Sequence, residues 1–211
     1  MLRLRRLLPL AALAAVLSYA VPSSAETIID EWDSVKAPPA PVLKEVTVNP
    51  ATTALLVLDF VKQVCNEKVR PRCLATLPAA KKLLADARAK DVLVVYSIVG
   101  GGTIGDTLPD VAPTSKDPYV QAGPDKFLNT DLEKILKDHG IKTVIVTGAD
   151  SAGAVLHTAD GAVFRGFNVV VPVDTSSSAY VFTEKYVAYH FTTAPRLAAG
   201  VTLTRVSMIK F

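Results

Sequence analysis

Three places in this 211-residue chain carry residues whose type and setting suit chemistry. Asp59 closes the apolar run ALLVLDF, Ala54–Phe60. A carboxylate at the end of a buried strand is partly desolvated, which raises its pKa and suits it to general acid or base work. The competing reading is an aspartate that caps the following turn. Lys126, in GPDKF, ends a long loop. Beside Asp59 its ammonium would hold the carboxylate ionised or stabilise a developing oxyanion; otherwise it is a solvated lysine. The third place is TGADSAGAVLHTA, Thr147–Ala159, which reads as a strand tip turning into a helix, the junction where an α/β enzyme keeps its nucleophile. It offers Asp150, Ser151 and His157, with Ala154 where a thiol would be sought. Ser151 has no histidine base placed near it by sequence. His157, three residues past Ala154, is expected on the same helix face as a packed, hydrogen-bonded side chain.

The two cysteines, Cys65 and Cys73, stand eight positions apart in CNEKVRPRC. In an oxidising compartment so short a charged loop can close as a disulfide. The alternatives are two free thiols too far apart to bridge, or a Cys65 that faces the crevice as a relocated nucleophile. Two cysteines and three scattered histidines are too few for a metal site, so no metal is expected. The glycines of GGGTIG have the wrong spacing for a dinucleotide fingerprint and open no helix, so no cofactor is expected either.

The elements that must position these residues are legible as periodicity. ALLVLDF, DVLVVYSI, TVIVTG and NVVVPVD read as buried strands, and VTLTRVSMIKF as one or two more. Helices are expected over Leu77–Lys90, over NTDLEKILKDHG with Asn129 or Thr130 as N-cap and Gly140 as stop, over Ala152–Arg165, and over Tyr180–Thr193. The segment 100–127 is too rich in Gly and Pro for regular structure and reads as one long loop with a function. Strands alternating with helices predict a single three-layer α/β domain: a parallel sheet of about six strands with helices on both faces. In such sheets the ligand crevice lies beyond the carboxyl ends of the strands, which brings forward Asp59, the loop over 100–126 and the turn over 148–154.

At this point a pattern emerges. An apolar strand ending in Asp is followed by K-F-x-x-T-x-L-x-x-x-L-x-x-x-G-I-x-x-x-I-V-T-G from Lys126, by T-A in a helix ending in R-G-F, and by N-V-V-V-P-V-D. Over about Ala54–Ser178 this resembles the isochorismatase-like (cysteine hydrolase) superfamily, whose fold is similar to the sheet just deduced. The resemblance implies an Asp, a Lys and a Cys. The Asp maps to Asp59 and the Cys, six residues after the Gly of T-G, to Ala154, which closes the covalent amidase route there. The Lys role goes to Lys126, although in many relatives it stands six residues before the Phe, here Gln121. A cis peptide in the turn would correspond to Asp150–Ser151. Gln63, Gln121, Asp150 and Ser151 are assigned to substrate binding. Isochorismatases proper also have a small residue in place of the Cys, and their Asp protonates a vinyl ether so that water completes the hydrolysis. The resemblance further implies a homo-oligomer.

The N-terminal MLRLRRLLPLAALAAVLSYAVPSSA combines three arginines, an apolar run and a small-residue cleavage site, and reads as a secretory leader cut after Ala25. An extended arm over 26–50 and a hydrolase domain over 51–211 are expected to follow. Removing three arginines from a chain of net charge +3 leaves a near-neutral protein, so neither nucleic acid nor a membrane is expected as a partner. The expectation is a periplasmic or secreted hydrolase that acts without covalent catalysis on a small, anionic substrate. The alternatives are a catalytically lapsed relative that binds a small molecule or partner, and a cysteine amidohydrolase whose nucleophile has been replaced at Ala154.

Overall fold

The computed structural model describes residues 27–211, so the expected leader and its cleavage after Ala25 lie outside the described residues. The described residues divide into two units at Ala37 and Pro38. In the first, the described part is a single helical turn, α1 (Ile28–Glu31). The second runs β1 (Val46–Thr47), β2 (Thr53–Leu58), α2 (Pro71–Arg88), β3 (Leu93–Ile98), β4 (Tyr119–Gln121), α3 (Leu132–Asp138) and β5 (Thr143–Ala149). A π-helical turn (Ser151–Val155) then leads into α4 (Leu156–Phe164), followed by β6 (Asn168–Pro172), β7 (Ser176–Ser177), α5 (Val181–Thr193), α6 (Leu197–Gly200), β8 (Val201–Thr204) and β9 (Ile209–Lys210).

Seven strands form one sheet in the order β4-β3-β2-β5-β6-β8, with β7 paired to the tip of β5. Every pairing between these strands is parallel, and β1 and β9 make a separate parallel pair. All six residues of β2 are buried, and its side chains alternate between two cores. Leu56 and Leu58 face the core built with α3, α4 and α5, whereas Leu55 and Val57 face the one built with α2. The layers are therefore helix, sheet, helix, as the alternation of elements requires. Each such fully buried side chain contributes about 1.5–3 kcal/mol relative to exposure.

The chain runs outward from β2 through β3 to β4, then returns to β5 on the other side of β2 and continues to β6 and β8. The switch in direction lies between β2 and β5, so the crevice expected of such a sheet opens beyond Leu58 and Gly148, which are register partners. Gly148 has φ +154°, and a Cβ there would stand 2.3 Å from the Leu58 carbonyl oxygen. Only glycine lets these two strands close at the level of the site.

Several elements differ from the sequence reading. The segment 100–127 is not without regular structure: Tyr119–Gln121 adds a parallel edge strand to β3, because a β-branched and an aromatic residue there meet an open ladder. α2 begins at Pro71, six residues earlier than expected. Pro71 suits a first-turn position, and the helix carries Pro78 in its interior instead of stopping there. α3 closes just before Gly140, which takes φ +67°, but its N-cap is Asp131 and not the expected Asn129 or Thr130; the Thr130 hydroxyl accepts from the Leu132 N–H at 3.2 Å.

Candidate functional site

Asp59 is the first residue beyond β2, and its backbone takes a left-handed conformation, φ +53°. This region is sparsely populated by residues other than glycine, and aspartate is among those that tolerate it. The chain turns out of the sheet here while the Asp59 N–H still donates to the Ser97 carbonyl at the end of β3, 3.1 Å away. The carboxylate is buried, at 4% exposure, and both oxygens are held. Ser97 Oγ donates to Oδ1 at 2.8 Å, and Lys126 Nζ reaches Oδ2 at 2.6 Å. Burial pushes the Asp59 pKa up from 3.8, while Lys126 and Ser97 pull in the opposite direction without overcoming it.

Lys126 is fully buried. Its Nζ also donates to the Ala122 carbonyl at 3.2 Å, and its backbone N–H donates to Thr158 Oγ1 at 3.2 Å. Thr158 lies in α4, one turn past Ala154, so the end of the long loop is fastened to the helix of the strand-to-helix turn. Ala154 and Thr158 are both buried, whereas His157 is exposed, contrary to the packed side chain expected from the sequence. Thr158, four positions on, lies beneath Ala154 on the buried face, whereas His157, three positions on, falls on the other side of that line and faces solvent.

The turn before Ala154 has its own network. The cis peptide is Ala149–Asp150, one bond before the Asp150–Ser151 position implied by the family resemblance. Asp150 caps the π-turn, its Oδ1 accepting from the Ala152 N–H at 2.7 Å and from the Ser178 hydroxyl, while its Oδ2 pairs with Arg70 at 2.9 Å. The hydroxyls of Ser151 and Ser178 share a hydrogen bond of 2.8 Å. Cys65 and Cys73 form a disulfide with Cα atoms 5.3 Å apart, and no cysteine is free. Arg70 lies within the loop this bridge closes, so the crosslink holds the arginine that meets Asp150.

The structure thus joins Asp59 to Lys126, and Asp150 to Ser151 through Ser178. Neither glutamine hydrogen-bonds the Asp59–Lys126 pair. Gln63 is exposed beside Asp106, whose carboxylate is held well below its ordinary pKa by Lys62, the Thr103 backbone and Gln63. Gln121 is exposed, and its amide donates to the Val99 and Gly102 carbonyls at 3.2 and 3.3 Å. Ser97, Arg70 and Ser178 escaped the sequence reading, and Thr158 entered it only as part of the T-A motif, without a role. Among the first three only Ser97, a polar residue inside the apolar run LVVYSI, left a signal that could have been found. Among the described residues, no group of three or more His, Cys, Asp or Glu is placed to hold a metal. No helix among them is long and apolar enough to cross a membrane.

Chemically the arrangement is a buried carboxylic acid held by an ammonium and a hydroxyl, next to the first turn of a helix whose N–H groups favour negative charge. Comparison with known proteins gives this geometry its context. A segment of 49 residues is 45% identical to the N-carbamoylsarcosine amidase of Arthrobacter sp, a match that spans 23% of this chain and 19% of that relative. The crystal structure of an isochorismatase-like hydrolase from Alkaliphilus metalliredigens superposes with a TM-score of 0.65 at 25% identity, over 74% of this chain and 95% of that one. The N-carbamoylsarcosine amidase of Thermoplasma acidophilum superposes with a TM-score of 0.64 at 24% identity, over 74% and 96% of the two chains. The isochorismatase domain model matches residues 53–204, which include Asp59, Lys126, Ala154 and all seven strands of the main sheet. The chain belongs to the isochorismatase-like hydrolase family.

Proposed function

We propose that the chain is an exported isochorismatase-like hydrolase that acts on a small, anionic metabolite without a covalent intermediate. The observation that carries this reading is Asp59 itself: a buried carboxylate in a left-handed turn, with a raised pKa and one partner on each oxygen. In its protonated form it gives its proton to the leaving side of a C–O bond as that bond breaks. Water adds to the carbon, and the proton that water releases returns to Asp59. Lys126 and the dipole of the helix that starts at the π-turn favour an anionic substrate and the negative charge that develops. Ala154 stands where the family resemblance puts a nucleophilic cysteine, so no acyl- or carbamoyl-enzyme forms in this scheme. The leader over 1–25 directs the protein to the periplasm or the exterior, away from intracellular isochorismate, and the domain over 51–211 works as a homo-oligomer.

One observation favours a second reading, a family member that binds without turnover: Asp59, Lys126 and Ala154 are 4%, 0% and 3% exposed. A thermal-shift screen of small carboxylic metabolites against the mature protein and its Asp59→Asn variant separates the two, with turnover followed on each hit. Turnover lost in Asp59→Asn supports the hydrolase. Equal stabilisation of both proteins with no product supports the binder. Amide hydrolysis gained on Ala154→Cys would mark the chain as a cysteine amidohydrolase with its nucleophile replaced.

A further inference from the structure

A second feature lies away from the Asp59–Lys126 pair. Beyond the ends of β6 and β8, a pocket of about 430 Å3 opens against α5 and the arm segment at residues 40–43. Its walls are apolar: Leu43, Val171, Val187, Phe191 and Leu203 are among them. A pocket of this size and lining matches the usual dimensions of small-molecule sites, which add a few polar groups to an apolar body.

Of the polar side chains of the wall, Glu184 and Ser151 are engaged, whereas the Ser176 hydroxyl and the Lys185 ammonium have no hydrogen-bond partner among the described residues. The Glu184 carboxylate is occupied by Arg72, which donates at 2.7 and 2.5 Å, and by the Ser178 N–H at 3.0 Å. The Ser151 hydroxyl is engaged with Ser178. Lys185 is half-buried, and among the described residues its ammonium has neither an ion-pair nor a hydrogen-bond partner. With Glu184 neutralised by Arg72, the charge left at this wall is a single cation.

We propose that this pocket binds an amphipathic carboxylate, its hydrocarbon body against α5, β6 and β8 and its acid group on Lys185. Two features of the site point to this class of ligand. An apolar volume gains from each methylene it covers, and a cation at its wall, with no internal partner, selects an anionic end. The site makes no use of Asp59 or Lys126, and it shares only Ser151 with the strand-to-helix turn.

The test is calorimetric titration of the full mature protein with butanoate, hexanoate, octanoate and 1-octanol. Affinity should rise about fourfold per added methylene, the equivalent of about 0.8 kcal/mol each, until the pocket is filled. Octanoate should bind at least about tenfold more tightly than 1-octanol, and Lys185→Gln should remove that difference while leaving octanol unchanged. Ala188→Trp, which fills the pocket from α5, should abolish both. Because a tryptophan there can disturb packing, Lys185→Gln is the deciding variant, and its far-UV circular dichroism should match the parent. Asp59→Asn should bind octanoate like the parent, which separates this site from the hydrolytic one. Equal affinity for octanoate and octanol, or octanoate binding unchanged in Lys185→Gln, would overturn the proposal. So would a concentration-dependent dimer that Ala188→Trp disrupts while no carboxylate binds, since a second copy would then be the occupant.

Discussion

Replacing Lys126 by methionine separates an ion pair that has almost no access to water. The pair closes at 2.6 Å, with side-chain exposures of 0% for Lys126 and 6% for Asp59. Methionine fills much of the same space, so the main loss is the charge partner of a buried carboxylate, and Ser97 alone then satisfies Asp59. Breaking one side of a buried pair costs about 3–5 kcal/mol. For a domain of this size that corresponds to a fall in Tm of roughly 6–20 °C. The cost depends on pH with a definite sign. Burial raises the Asp59 pKa above 3.8, so the folded state holds its proton more tightly than the unfolded chain, and stability falls as pH rises through the folded value. Without Lys126 the opposing pull disappears, the folded pKa climbs further, and the window of falling stability extends upward. Urea denaturation of parent and Lys126→Met at several pH values should therefore show a difference that is smallest at acid pH, where Asp59 is protonated in both, and grows as pH rises. Adding Asp59→Asn, a residue that tolerates the left-handed turn, should recover most of the loss, because no buried charge is then left alone. A loss below about 1 kcal/mol at pH 7, or one independent of pH, would refute the reasoning.

Gly148→Ala should cost more than about 4 kcal/mol or yield insoluble protein, since its Cβ would stand 2.3 Å from the Leu58 carbonyl oxygen between two central strands; denaturation midpoints or soluble yield measure this, and a loss under about 1 kcal/mol would be incompatible with the β2–β5 register. Reducing the Cys65–Cys73 bridge should lower stability by about 2–3 kcal/mol by the loop-closure relation, and intact mass after alkylation without reductant should show no added groups on the native protein. Ala154→Cys should give a thiol of depressed pKa, because position 154 lies in the first turn of the helix, where the helix dipole favours a thiolate even with Asp150 capping the Ala152 N–H. Its iodoacetamide alkylation rate against pH, with the parent as blank, should show a midpoint below the free-thiol value of about 8.5, and a midpoint at or above it would count against an electropositive turn at residue 154.

The periodicity of the chain carries the central architecture by itself. ALLVLDF, TVIVTG and NVVVPVD each carry a run of apolar, largely branched residues because strands buried on both faces favour such runs, and the helical patterns between them leave a parallel sheet as the arrangement. Asp59 was legible for the same reason: a carboxylate closing such a run stands out against its neighbours. What the sequence could not settle were relations across long separations. Lys126 lies 67 positions from Asp59, and Ser97 lies 38, so their meeting depends on which strands become neighbours and how the long loop returns to α4. The pairing of Arg70 with Asp150 likewise exists only once the disulfide-closed loop stands beside the turn. Side-chain direction within an element was also decided locally in three dimensions. The helix that follows the π-turn at Ser151–Val155 exposes His157 and buries Thr158, and no propensity of individual residues encodes that choice of face. The edge strand at Tyr119–Gln121 follows the same logic, since three residues in a Gly- and Pro-rich segment become a strand only because β3 offers an unpaired edge. Local pattern determines which segments are buried and in what form, whereas the identity of a buried polar group's partner is a property of topology, because the cost of leaving it unpaired is met only by groups that the fold brings together.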